Sequence, residues 1–159
     1  MGKSAMIMQN VQRELSSANY LLTKTYPLVK EEKIFLEVLR HLWEASQDLL
    51  RFTVHYTQEK SLITRVPKTR TEKLLLLNSW ASGTKNLYFS NDYMRTLKKL
   101  YWKLKEVNES KENNIMNFRK GNNYVICKKD YKVEVISYSL LSNLLKESYK
   151  LYTFIQRLS

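Results

Sequence analysis

One apolar stripe dominates this chain. Between Glu31 and Glu59, Phe35, Val38, Leu42, Ala45, Leu49 and Phe52 recur at alternating spacings of three and four, the period of one buried helical face. Leu39, Trp43 and Leu50 widen it. Neither Gly nor Pro interrupts the segment, and Glu31 and Glu32 stand in its first turn, where a helix dipole favours negative charge. Such a helix would span about 40 Å at 1.5 Å per residue, long enough to be the scaffold on which the rest packs.

The 159 residues hold only three glycines and two prolines, which leaves little room for tight hairpins or phosphate-cradling loops. Val11, Leu15, Ala18 and Leu22 predict a first helix over Ser4 to Thr25, stopped at Tyr26-Pro27 because a residue before proline avoids helical geometry. Residues 63–70 hold Pro67 and read as a loop; Leu74 to Leu77 read as a short buried helical turn, and Ser82-Gly83-Thr84 as a break. A further helix opens near Asn91 or Asp92 and buries Met94, Leu97, Tyr101 and Leu104. Residues 108–123 are polar and Asn-rich and read as a loop.

Then the period changes. Tyr124 to Cys127 and Tyr131 to Ile136 are β-branched or aromatic runs about Lys128-Lys129-Asp130, which predicts a hairpin. The last helix covers Ser139 to Arg157, with Leu141, Leu144, Leu145, Leu151, Tyr152 and Ile155 inward. The expected fold is mainly α: one domain over residues 1–159, a bundle of four to five helices with a small β-hairpin before the last one. Residues 108–136 form a loop-plus-hairpin appendage.

Net charge is +12 and unevenly placed. Residues 1–59 carry seven basic and seven acidic side chains, residues 60–105 eleven against two, and residues 106–159 nine against six. Basicity this local points to a polyanionic partner. The single cysteine, Cys127, has no second thiol for a disulfide or a metal cluster, and with no membrane-length apolar run the expected compartment is the cytoplasm.

Two surfaces carry candidate chemistry. On the long helix, Glu37, His41, Glu44, Asp48, Arg51 and His55 share one polar face at four- and three-residue spacings. Asp48, Arg51 and His55 are near neighbours there, and an Arg–His pair with a carboxylate could cleave RNA. The plain alternative is a solvated face of alternating charges. His41 and His55, fourteen residues apart, are separated by about 21 Å of helix, so they cannot share a metal, and neither metal nor cofactor is implied. The second surface is basic: Arg65, Lys68, Arg70 and Lys73; Arg95, Lys98, Lys99, Trp102 and Lys103; and Arg119, Lys120, Lys128, Lys129 and Lys132. Cations beside aromatics suit phosphates and unstacked bases.

Thr25-Tyr26-Pro27-Leu28-Val29-Lys30, Phe118-Arg119-Lys120, Tyr124-Val125-Ile126-Cys127 and Tyr131-Lys132-Val133-Glu134 resemble segments of an uncharacterised family of small basic archaeal proteins. That resemblance implies no activity. The helical layout is more distantly similar to the HEPN class of ribonuclease toxins and RNA-binding partners, which implies a nucleic-acid setting and dimerisation through helices. The class signature is Arg, four to six residues, then His. Arg51 and His55 have three between them and Arg40 and His41 are adjacent, so no catalytic residue carries over. Three expectations follow: a non-enzymatic nucleic-acid binder favouring RNA, a HEPN-like ribonuclease using Arg51 and His55, or a subunit docking on an acidic protein.

Overall fold

A computed structural model describes residues 2–60, 62–82, 86, 88–112 and 114–158. The element order is α1 (Lys3–Tyr20), a π-helical stretch (Leu21–Thr25), α2 (Tyr26–Val29), α3 (Glu32–Glu59), α4 (Arg70–Ala81), α5 (Asn91–Glu112), β1 (Asn114–Lys120), β2 (Asn123–Lys128), β3 (Val133–Ile136) and α6 (Tyr138–Gln156). The fold is a helical bundle with a small antiparallel sheet before its last helix.

Helix α3 is the scaffold. It packs against α1, α4, α5, α6 and β2, and Phe35, Val38, Leu42, Ala45, Leu49 and Phe52 are all buried. Toward its C-terminal end Thr53, Val54, Tyr56 and Thr57 are buried too, so neighbours enclose that end on more than one side. The predicted inward residues of α1, α5 and α6 lie in the same core. Trp43 sits at the rim of that core, only partly buried.

Four segments differ from the sequence expectation. Tyr26-Pro27 does not stop the first helix. Tyr26 keeps helical angles (φ −59°, ψ −43°), and the chain widens into the π-helical stretch just before Pro27. Proline has no N–H for a carbonyl four residues back, and the widened turn shifts the hydrogen-bond register there. The helix ends at Lys30, which adopts a left-handed conformation and donates its N–H to Tyr26 O at 2.8 Å.

The run Leu74–Leu77 is the middle of a full twelve-residue helix, α4. Thr69 Oγ1 accepts the Glu72 N–H at 3.1 Å while Glu72 Oε2 accepts the Lys68 N–H at 3.3 Å, a reciprocal cap written in the sequence as Thr-x-x-Glu. Leu77 is buried but Leu75 is exposed. Ser82 closes the helix, and Gly83 and Thr84 lie outside the described residues.

Residues 108–123 are not a loop. Helix α5 continues to Glu112, and Asn114–Lys120 form a third strand paired antiparallel to β2. The β1–β2 turn is tight after all: Gly121 has φ +63° between Lys120 and Asn123, which pair, the arrangement of a two-residue hairpin with glycine at its first central position.

The Lys-Val-Glu-Val alternation of residues 132–135 would bury the valines, and β3 does the reverse. Glu134 and Ile136 turn inward, whereas Val133 and Val135 are 55% and 45% exposed. Register puts Phe118, Val125 and Val135 in one cross-strand row and Met116, Cys127 and Val133 in the next. Those six side chains share the sheet face turned away from the helices.

Candidate functional site

Position along α5 orders the basic groups. Its buried face is Met94, Leu97, Leu100, Tyr101, Leu104 and Val107. At helical spacing this turns Arg95, Lys98, Lys99, Trp102 and Lys103 outward together. They line one open groove of about 570 Å³ with Ala81 and Ser82 from the end of α4, and Glu106 is its only acidic wall residue. Trp102 is 40% exposed, with the Lys105 ammonium 4.9 Å from its ring centre. Lys103 Nζ donates to Glu134 Oε1 at 3.0 Å, which ties the groove to β3. Among the described residues Arg95, Lys98 and Lys99 have no carboxylate within salt-bridge distance.

Lys128 and Lys129 adjoin this groove. With Asp130 they line a cleft against Glu106, Glu109 and Ser110 of α5, so Glu106 borders both hollows. Lys132 sits in the same β2–β3 turn, where its carbonyl accepts the Lys128 N–H at 2.9 Å. Arg119 and Lys120 are at the other end of the sheet. Arg119 donates to Gly121 O at 2.9 Å and to Lys30 O at 3.4 Å. The length of β2 separates that end from Lys128 by about 17 Å.

The cations before α5 divide as well. Arg65 lines an apolar hollow with Leu62, Ile63, Pro67, Leu75 and Leu76, and the Lys68 amide serves the α4 cap. Arg70 and Lys73 instead face α3, in a cleft with Gln47, Leu50, Arg51 and Tyr101. The three sequence groups therefore do not form one surface. The α5 set and the β2–β3 turn come together, and the others lie apart.

The polar face of α3 is not simply solvated. His41 Nδ1 is 2.6 Å from Glu14 Oε2 across the α1–α3 seam, with both side chains mostly covered. Arg40 bonds Glu37 at 3.0 Å. Arg51 Nη1 donates to Asp48 Oδ1 at 2.7 Å. Burial raises the Asp48 pKa, and the Arg51 hydrogen bond and charge offset only part of that rise. Among the described residues no hydrogen bond joins His55 to either partner. Burial, then the charges of Lys3, Lys73 and Arg51, lower the His55 pKa, against a smaller opposing pull from Glu59. The shift favours the uncharged ring near neutral pH, and among the described residues no hydrogen-bonded Asp–Arg–His relay is assembled.

Sequence reasoning missed Glu14, Lys3, Gln47 and the Glu134–Lys103 bridge, because each acquires its role from a distant segment. No protein-family model matches this chain, and neither does any curated protein or solved structure. Among the described residues no group of three His, Cys, Asp or Glu is placed to hold a metal ion, and no helix is long and apolar enough to cross a membrane.

Proposed function

We propose that this bundle is a non-enzymatic nucleic-acid-binding protein, favouring single-stranded RNA, whose interface is the α5 groove extended by Lys128 and Lys129. The observation that carries this reading is the groove wall: Arg95, Lys98, Lys99 and Lys103 around an exposed Trp102, against Glu106 and the Glu134 carboxylate that holds Lys103. Four cations along one helix face track a phosphate backbone, and an indole among them offers a stacking surface to an unpaired base. Such contacts position a strand with little sequence readout. RNA is proposed over DNA on the distant resemblance of the helical layout to the HEPN class, which is part of this proposal. An acidic protein would also suit the lysines, but Trp102 in their midst favours a base-bearing polyanion.

A salt titration with a fluorescent single-stranded RNA tests it. With Lys103 held by Glu134, three phosphate contacts from Arg95, Lys98 and Lys99 give log K against log salt a slope of about −2, and Lys98→Glu with Lys99→Glu should abolish binding. A slope near zero, or a double variant that binds like the parent, removes the proposal.

A further inference from the structure

A second basic hollow lies away from that groove, between α3, α4 and α5. It encloses about 190 Å³ and is walled by Gln47, Leu50, Arg51, Arg70, Lys73 and Tyr101. Each guanidinium is held in place. Arg51 is fixed by Asp48 at 2.7 Å. Arg70 donates Nη2 to Gln47 Oε1 at 2.9 Å and lies 5.6 Å from the Trp43 ring centre. Lys73 is half-buried and, among the described residues, has no carboxylate within salt-bridge distance. Burial and the charges of Arg51 and Lys3 lower its pKa, so the fold holds Lys73 beside Arg51 and Lys3 against repulsion.

Tyr101 in this wall is wholly buried, and among the described residues its hydroxyl has no hydrogen-bond partner. Burial raises its pKa, and Arg70 is near enough to oppose that rise.

We propose that this hollow is a phosphate site in which Arg51, Arg70 and Lys73 bind a single phosphoryl group. Three cations against the one Asp48 carboxylate leave a net charge of +2, which a phosphate dianion neutralises. The pre-oriented guanidinium forks match its oxygens. The cationic wall favours a phosphoryl group over a base, so a nucleotide or a strand would enter by a terminal phosphate. The site uses no residue of the α5 groove and does not rest on the function proposed for it.

Titration calorimetry with inorganic phosphate at fixed ionic strength, paired with thermal melts, tests it. Phosphate should bind the parent protein and raise its Tm above a chloride control. Lys73→Met should weaken phosphate about tenfold while raising the Tm of the phosphate-free protein, because it relieves repulsion. A merely structural lysine would lower that Tm. Lys98→Glu with Lys99→Glu should leave phosphate binding intact, which separates this site from the groove. Octamers with 5′-phosphate and 5′-hydroxyl ends decide the source: preference for the phosphorylated end assigns a strand terminus, and equal affinity with retained phosphate binding assigns the free ion. No heat with phosphate, or a Tm rise equal in the Lys73→Met variant and therefore due only to general salt stabilisation, overturns the proposal.

Discussion

Glu59, at the C-terminal end of α3, caps the first helix from 55 residues away: its Oε1 accepts the Ser4 amide at 3.1 Å and its Oε2 the Ser4 hydroxyl at 2.6 Å. Helix α1 has no side-chain cap of its own, because Gly2 stands in the N-cap position. The borrowed carboxylate satisfies an N–H that the helix cannot satisfy itself, and its charge suits the positive end of the dipole.

That contact makes stability pH-dependent. Burial works to raise the Glu59 pKa, but the Ser4 hydroxyl and amide, the His55 ring and the Lys3 amide together bring it below its ordinary 4.5. A carboxylate with a depressed folded pKa stabilises fully above its unfolded value and loses that contribution as pH falls through the folded one. Glu59→Gln should cost about 1 kcal/mol at neutral pH, the usual worth of an N-cap. It should also flatten the acid limb of a stability–pH curve measured by urea unfolding. A variant whose acid limb matches the parent's contradicts the assignment.

Gly2 is small for the same reason. A Cβ there would fall 2.3 to 2.7 Å from the Glu59 carboxylate. The carboxylate can swing aside, but only by leaving Ser4. Gly2→Ala should therefore destabilise by no more than Glu59→Gln, about 1 kcal/mol, and the double variant should be no worse than either alone. Additive losses in urea melts would mean that the two residues act separately.

Lys30 ends the first helical run with φ 53° and ψ 37°, a conformation that costs a residue with a Cβ about 1–2 kcal/mol. Lys30→Gly removes that strain and adds some unfolded-state entropy, for a net gain of about 0.5 kcal/mol. Lys30→Ala keeps the Cβ and should gain nothing. Equal melting temperatures for the two variants would count against a strained cap.

Inside the bundle, Thr53 Oγ1 donates to Leu49 O at 2.8 Å, so the Tyr93 hydroxyl, 3.0 Å away, must donate to Thr53. Thr53→Val strands a buried phenol proton and should cost about 1–3 kcal/mol. Adding Tyr93→Phe removes the stranded group, so the double variant should be more stable than Thr53→Val alone. Burial pushes the Tyr93 pKa well above 10. In an ultraviolet titration this tyrosine should ionise only when the protein unfolds.

The long helices were legible because their apolar spacing is dictated by the core they bury. Met94, Leu97, Tyr101 and Leu104 took one face of α5 as the period required. Helix α4 was harder: four consecutive leucines have no phase, and only the Thr69–Glu72 cap marked its start. Strand β1 is an edge strand of mixed polarity, almost wholly exposed, so neither a buried face nor alternation announced it. The basic surface was legible as composition, but its division was not. Whether Arg70 joins Lys98 or Arg51 depends on how α4 crosses the bundle, which no local pattern encodes.

Glu134 shows how such a non-local pairing bears on function. It is the inward acid of β3, 9% exposed, and it restrains Lys103 at the rim of the α5 groove. Glu134→Gln removes the charge while an amide oxygen still accepts from Lys103. Under the proposed function, one more unneutralised cation then faces the strand. RNA affinity near 0.1 M salt should rise about two- to fivefold, and the salt slope should steepen by about 0.7. Lys103→Met acts the other way: it removes a phosphate contact and leaves Glu134 covered without its partner, so both affinity and Tm should fall. Filter binding across a salt series with melts of the same samples measures both effects. If Glu134→Gln leaves affinity and slope where they were, Lys103 does not touch the strand, and the interface must end at Lys99.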